Sequence, residues 1–160
     1  EINYLIEKKP LGTSGALSLL PKEFKKPILL INGDVLTKVN FQDLVNYHNQ
    51  NSGYITICAR EHVLQSPYGV LEVDDIKYKS MVEKPSFKHL INAGIYSLDP
   101  EILYSIKQNE FLDMPNLINS FKKQNKNIIV YPLHEYWIDI GKPESLEKAI
   151  DEWQINIDSI

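Results

Sequence analysis

The 160-residue sequence predicts an α/β fold built on a largely parallel sheet. Three observations predict it. Strand-like and helix-like segments alternate along the chain. The strand-like runs are short and rich in branched apolar residues, as in "PILLI" at 27–31, the pattern of strands buried on both faces. Helix starts are marked by residues that cap or open a first turn: Asn40, the pair Asp99-Pro100, Pro115 and Pro143. No linker, low-complexity tract or internal repeat interrupts the alternation, so one domain, or most of one, is expected across 1–160.

In order, "INYLI" at 2–6 reads as a strand and "SGALSLL" at 14–20 as a helix ended by Pro21. "PILLI" is the next strand. "NFQDLVNYHNQN" follows as a helix with Asn40 as N-cap and Phe41, Leu44, Val45 and His48 on one face. "YITICA" at 54–59 is a strand, and "GVLEVDDIKYKSMVEK" at 69–84 reads as two strands joined by a turn at Asp74-Asp75. "LINAGIYSL" at 90–98 is extended, and Asp99-Pro100 then opens a helix with Ile102, Leu103 and Ile106 facing inward. Pro115 opens another, carrying Leu117, Ile118 and Phe121. "NIIVYPL" and "EYWIDI" are extended, and a last helix from Pro143 repeats Leu146, Ala149, Ile150 and Trp153 at helical spacing.

Composition excludes several functions. The net charge is −4 and no basic cluster outlasts three residues, which argues against binding nucleic acid through its phosphates. A small polyanion still fits if a divalent cation supplies positive charge. The single cysteine, Cys58, lies in the apolar run "YITICA", so no disulfide framework exists and a reducing cytoplasm is expected. No apolar stretch approaches the roughly 20 residues that cross a bilayer, and no signal peptide is evident.

The candidate chemistry is carboxylate-based. "PILLI" stops at Asn32-Gly33-Asp34, and ligands of open α/β sheets bind beyond the carboxyl ends of strands. Asn-Gly-Asp alone is also an ordinary turn. "EYWIDIG" sets Asp139 between Ile138 and Ile140, where a carboxylate is costly unless partnered. Should Asp34 and Asp139 converge to about 4 Å, their repulsion is of order 4 kcal/mol at an effective dielectric near 20, enough to protonate one or recruit a cation. Oxygen ligands favour a hard ion, Mg²⁺ where phosphates complete the shell. In "EKKPLGTSGALSLL", Pro10, Gly12 and Gly15 make a constrained loop before a helix, with backbone N–H groups expected to point outward; a plain loop reads the same way. In "MVEKP", Glu83 and Lys84 end a strand before a proline, and lysine binds phosphate as a point charge, though such a pair is also an ordinary solvated one. His48, His62, His89 and His134 lack metal-ligand spacing, and no nucleophile elbow or Cys/His pairing is present.

Taken in order, "EKKPLGTSGAL", "INGDVL", "YGVLEV", "VEKP", "INAGIYSLDPEIL" and "YWIDIGKPESLEKA" resemble the sugar-1-phosphate nucleotidyltransferases over nearly the whole chain. The wording looks most like the bacterial GDP-sugar enzymes, such as the glucosamine-1-phosphate guanylyltransferases, with the mannose-1-phosphate guanylyltransferases next. The resemblance implies a Rossmann-like, mostly parallel mixed sheet and a reaction joining a nucleoside triphosphate to a sugar 1-phosphate with release of pyrophosphate. It implies that Asp34 and Asp139 hold Mg²⁺ and, with Lys84, carry catalysis. Lys84 would bind the sugar phosphate, Gly69, Glu83 and Asn92 would line the sugar pocket, and Gly12 and Glu7 would meet the base, with Asp34 also touching the nucleotide. Guanine offers N–H donors on its Watson–Crick edge and a carboxylate only accepts, so Glu7 points to GTP. A regulatory CBS-domain pair often lies upstream in such bacterial enzymes.

The family's opening strand and its Gly-rich, Arg-containing loop are not in this sequence. The chain therefore reads as the C-terminal two-thirds of the domain, missing its first strands, and by itself is expected to bind nucleotide poorly and not turn over. Without its neighbours "INYLI" forms an unpaired edge that invites self-association, so a homo-oligomer is expected among its partners. The alternatives are a non-catalytic regulatory or scaffolding subunit that keeps the fold, and a nucleotide-sugar-dependent glycosyltransferase. Retention of both aspartates opposes the first; the lone aspartate of "NGDVL", where Asp-x-Asp is usual, opposes the second.

Overall fold

The computed structural model describes residues 2–157, the side chains of 153–157 excepted. In chain order they form a single helical turn, α1 (Gly12–Gly15), continued as a 3₁₀ turn (Ala16–Leu19), then β1 (Ile28–Ile31), β2 (Val35–Thr37) and α2 (Phe41–Gln50). There follow β3 (Ile55–Gln65), β4 (Val70–Asp74), β5 (Lys77–Val82) and β6 (Ser86–Leu98). A second 3₁₀ helix (Pro100–Tyr104), α3 (Met114–Lys123), β7 (Ile128–Pro132), β8 (Trp137–Asp139) and α4 (Pro143–Ile157) complete the order.

The central sheet has the order β1-β6-β3-β7. β6 pairs antiparallel with β1 and β3, and β3 pairs parallel with β7. β1, β3 and β7 therefore run the same way with β6 set against them, a mixed and mostly co-directional α/β sheet as the sequence predicts. Side chains alternate across β6, so Tyr96 and Leu98 face one layer and Ala93 and Ile95 the other. The first layer is Leu17, Ile102, Leu103, Met114, Leu117 and Phe121; the second is Leu44 of α2 with Val39 and Leu133. β2 with β8, and β4 with β5, form separate two-stranded sheets. Among the described residues no helix is long and apolar enough to cross a membrane.

Local signals act as expected where they are self-contained. Asn40 Oδ1 accepts from the backbone N–H of Gln42 at 2.9 Å and of Asp43 at 3.3 Å, capping α2. Asp99 Oδ1 accepts from Glu101 N–H at 2.8 Å, although the helix it opens is 3₁₀. The turn that joins β4 to β5 is Asp75-Ile76, one residue later than expected, with Asp75 at φ +57° and Asp74 still paired with Lys77. In α4, Ala149 is buried while Leu146 and Ile150 are exposed; the side chain of Trp153 lies outside the described residues.

Three expectations are corrected. "INYLI" is not a strand: residues 2–6 are irregular, with Ile2, Tyr4 and Ile6 81%, 85% and 86% exposed. A strand exists only through ladder bonds to a neighbour, and among the described residues none lies beside it. "PILLI" is not buried on both faces: β1 lies at the edge of the sheet among the described residues and only one of its faces is covered, Ile28 and Leu30 packing on the core while Leu29 and Ile31 are exposed. "SGALSLL" is one α turn and one 3₁₀ turn rather than a regular helix, its first turn being tied to a distant segment.

His48 and Cys58 are core groups. His48 is buried on α2 with Nδ1 2.7 Å from Thr56 Oγ1, and Gly53 leaves the space both require, since a Cβ there would stand 2.9 Å from Thr56 Oγ1. Burial pushes the Cys58 thiol up to about 12, an inert sulfur. Burial lowers the His48 pKa, partly opposed by Asp99. The folded state thus holds His48 neutral, and the unfolded chain takes the proton first. Its contribution is complete above the ordinary histidine value of 6.5 and is lost as pH falls below it. Urea midpoints measured between about pH 8 and 5 should decline on the acid side, and His48→Gln should flatten that decline. An identical slope in the variant would remove the assignment.

Candidate active site

Asp34 and Asp139 are brought together by strand pairing. β2 runs antiparallel to β8 with Val35 opposite Asp139, and Ile140 N–H donates to the Asp34 carbonyl at 2.8 Å. Gly141 N–H donates to Asp139 Oδ1 at 2.8 Å. A Cβ added at Gly141 would sit 3.0 Å from Asp139 Oδ1 and 3.1 Å from Asp34 Oδ2. The two carboxylates therefore close on one point, and the absent side chain of Gly141 keeps that point open. Asp34 is half-buried and Asp139 is exposed at the end of β8, so the expected penalty for a carboxylate inside an apolar run does not arise. An oxygen-only pair around an open space suits a hard divalent cation. Among the described residues no third His, Cys, Asp or Glu completes a cage, so further ligands would be water or phosphate oxygens.

The loop at 7–15 is braced from two sides. Glu7 Oε2 accepts from Leu11 N–H at 2.9 Å. Ser14 and Gly15 N–H both donate to the Leu112 carbonyl at 3.0 Å, joined by Ser14 Oγ at 2.8 Å. These two amides do not point outward as the loop sequence leads one to expect; they are spent inside the fold. Thr13 Oγ1 accepts from Met114 N–H at 2.8 Å and so caps α3 from outside. Gly12 has φ +80°, and a Cβ there would lie 2.7 Å from Asp113 Oδ1 and 2.8 Å from the Leu112 carbonyl. Thr13 meets Asn32, Gly33 and Asp34 across a depression of about 490 Å³ at the carboxyl end of β1.

Asn92 stands where β6 meets the end of β1. Its Oδ1 accepts from Gly94 N–H at 3.0 Å and its Nδ2 donates to the Tyr96 hydroxyl. Asn32 N–H donates to the Gly94 carbonyl at 2.9 Å, and Trp137 Nε1–H to the Ala93 carbonyl at 2.8 Å. The "NAG" segment thereby joins the turn before Asp34 to the strand that ends in Asp139.

Gly69, Glu83 and Lys84 form a second group, on the β4–β5 hairpin. A Cβ at Gly69 would lie 2.8 Å from Glu83 Oε2, so these two are neighbours. Lys84 is exposed with φ +46°, a left-handed backbone that a lysine adopts only at a cost of order 1–3 kcal/mol. This group and the aspartate pair sit on different sheets, joined through β6. A larger cavity, about 560 Å³, opens at the opposite end of the sheet between Lys25, His48, Tyr54, Asp99 and Lys126, and carries none of the candidate residues.

Sequence reasoning overlooked Thr13, Asn32, Gly94 and Tyr96. Only Gly94 carried a usable signal, a glycine inside a strand pattern, which marks a bulge or a close backbone approach.

The nucleotidyl transferase family model matches residues 1–154. The mannose-1-phosphate guanyltransferase of Debaryomyces hansenii is 35% identical over 156 residues, covering 89% of this chain and 41% of that protein. Mannose-1-phosphate guanyltransferase 2 of Candida glabrata is 33% identical over 156 residues, covering 89% and 42%. The chain thus spans less than half the length of these relatives. Two crystal structures of HddC from Yersinia pseudotuberculosis, the second complexed with GMP-PN, superpose at TM-score 0.65 with 27% and 26% identity, covering 93% of this chain and 65% of theirs.

Gly94 has φ +69°, and a Cβ there would lie 2.8 Å from Asn32 Nδ2 and 3.0 Å from its Cγ. Gly94→Ala should therefore destabilise the fold by about 1–3 kcal/mol, read from the urea midpoint. An unshifted midpoint would show that Asn32 is not held against this backbone.

Proposed function

The chain belongs to the nucleotidyl transferase family, and from that premise we propose that the protein transfers GMP from GTP to a sugar 1-phosphate, releasing pyrophosphate and forming a nucleotide-sugar. The convergence of Asp34 and Asp139 on the open space at Gly141 carries this reading. A scaffold that only keeps the fold has no use for two carboxylates turned to one open point. Similarity to mannose-1-phosphate guanyltransferases and to a structure complexed with GMP-PN supports guanine as the base and mannose as one candidate sugar.

The displacement needs no protein nucleophile. A sugar-phosphate oxygen attacks the α-phosphorus in line and pyrophosphate leaves, so the protein's task is positioning and charge neutralisation. Asp34 and Asp139 would hold Mg²⁺, which supplies charge neutralisation at the phosphates when bound. Lys84 holds the sugar phosphate as a point charge, and its left-handed backbone supports a constrained functional position. Gly69 keeps the approach to Glu83 open for sugar hydroxyls, with Asn92 as the further polar contact. Glu7, oriented through the Leu11 N–H, accepts from the guanine edge, with Gly12 beside the base. The exposed apolar side chains of residues 2–6 and of β1 support a homo-oligomer. The upstream CBS-domain pair and a cytoplasmic location rest on the resemblance and on the lone buried Cys58.

Pyrophosphate release by the complete protein, with GTP and a panel of sugar 1-phosphates, tests the reading. Asp34→Asn and Asp139→Asn should each lower Mg²⁺-dependent kcat about a hundredfold or more while the urea midpoint is retained. Unchanged turnover in either variant would remove the metal role. Glu7→Gln should narrow the preference for GTP over UTP by about tenfold, and an unaltered preference would undo the base assignment.

A further inference from the structure

We propose that Tyr96 is a positioning residue for the sugar subsite, acting through the amide of Asn92; the proposal rests on the nucleotidyl-transfer reading. The two residues lie four apart on β6, on either side of Gly94, where the left-handed backbone and the register shift against β3 bring their side chains together. Tyr96 is 2% exposed, so its ring is immobilised in the core against Leu17, Leu98 and α3. Its hydroxyl reaches from that core to the side chain of Asn92, an exposed position.

The two hydrogen bonds divide the work. Gly94 N–H is a donor and accepts nothing, so its 3.0 Å contact decides which end of the Asn92 amide is the oxygen. The Tyr96 hydroxyl takes one Nδ2 proton and stops the amide from swinging about its side-chain torsions. One Nδ2–H and one Oδ1 lone pair are left for a ligand, in fixed places. An exposed asparagine without such anchors presents donor and acceptor interchangeably and pays rotamer entropy to bind. A hydroxyl-bearing ligand, which both donates and accepts, is the chemistry that gains most from this arrangement.

The test is a double-mutant cycle in the complete protein, with GTP and mannose 1-phosphate or glucosamine 1-phosphate, whichever the wild type turns over. Tyr96→Phe keeps the ring and removes only the hydroxyl. It should raise the KM for the sugar 1-phosphate roughly five- to tenfold and leave the KM for GTP within about twofold. In an Asn92→Ala background the same change should leave the sugar KM unaltered, because nothing remains to position. A Tyr96→Phe penalty that persists in that background, or that falls equally on GTP, would show a merely structural tyrosine and overturn the proposal. An unchanged sugar KM in the single variant would overturn it as well. A wild type that releases no pyrophosphate with either sugar phosphate would instead bring down the nucleotidyl-transfer reading, and this inference with it.

Discussion

The register between β2 and β8 is the constraint on which the site depends. Two three-residue strands, separated by about a hundred positions in the chain, set Val35 opposite Asp139 and the Asp34 carbonyl against Ile140 N–H. Side chains alternate along a strand, so a slip by one residue would turn Asp139 to the other face and part the two carboxylates. Neither ribbon strand has the length to fix its own register. It is imposed by Trp137, whose indole N–H is bonded to the Ala93 carbonyl and whose ring packs with Val35 against the second core layer.

β6 transmits that constraint to the rest of the molecule. It lies between β1 and β3 and runs against both. At Gly94 its left-handed backbone admits the Asn32 side chain, so the end of β1 and the turn carrying Asp34 are seated on it. Its pairing with β3 shifts register between Ile57 and Ala59, where the strands leave the sheet and continue as an exposed ribbon toward the β4–β5 hairpin. Core residues, Asn92 and the approach to Lys84 therefore follow one another along a single strand. An architecture of this kind lets one element set the spacing between Lys84 and the carboxylate pair.

Hydrogen-bond use separates scaffold from chemistry in the loop at 7–15. Its amides at Ser14 and Gly15 are committed to Leu112, and Thr13 caps α3. At Gly12 the missing Cβ makes room for Asp113 and the Leu112 carbonyl, and the Glu7 carboxylate is oriented from within by Leu11 N–H. Buried titratable groups elsewhere, His48 and Cys58, are held neutral by desolvation and serve packing.

The sequence by itself determined the features whose physics is local. The Asn40 cap, the presence of a turn between β4 and β5, the apolar faces of α2 and α3 and the alternation that defines an α/β chain each depend on residues within one or two turns of one another. The order of its motifs also named the family and singled out Asp34 and Asp139. Only the tertiary structure decided what depends on a distant partner. It left 2–6 irregular for want of a neighbouring strand, made "PILLI" an edge, and turned the loop amides inward to a carbonyl about a hundred residues away. It also closed the two carboxylates on Gly141 and tied Asn92 to a core tyrosine. Propensity and periodicity travel along the chain, whereas pairing partners, covered faces and the owner of each hydrogen bond are settled across it.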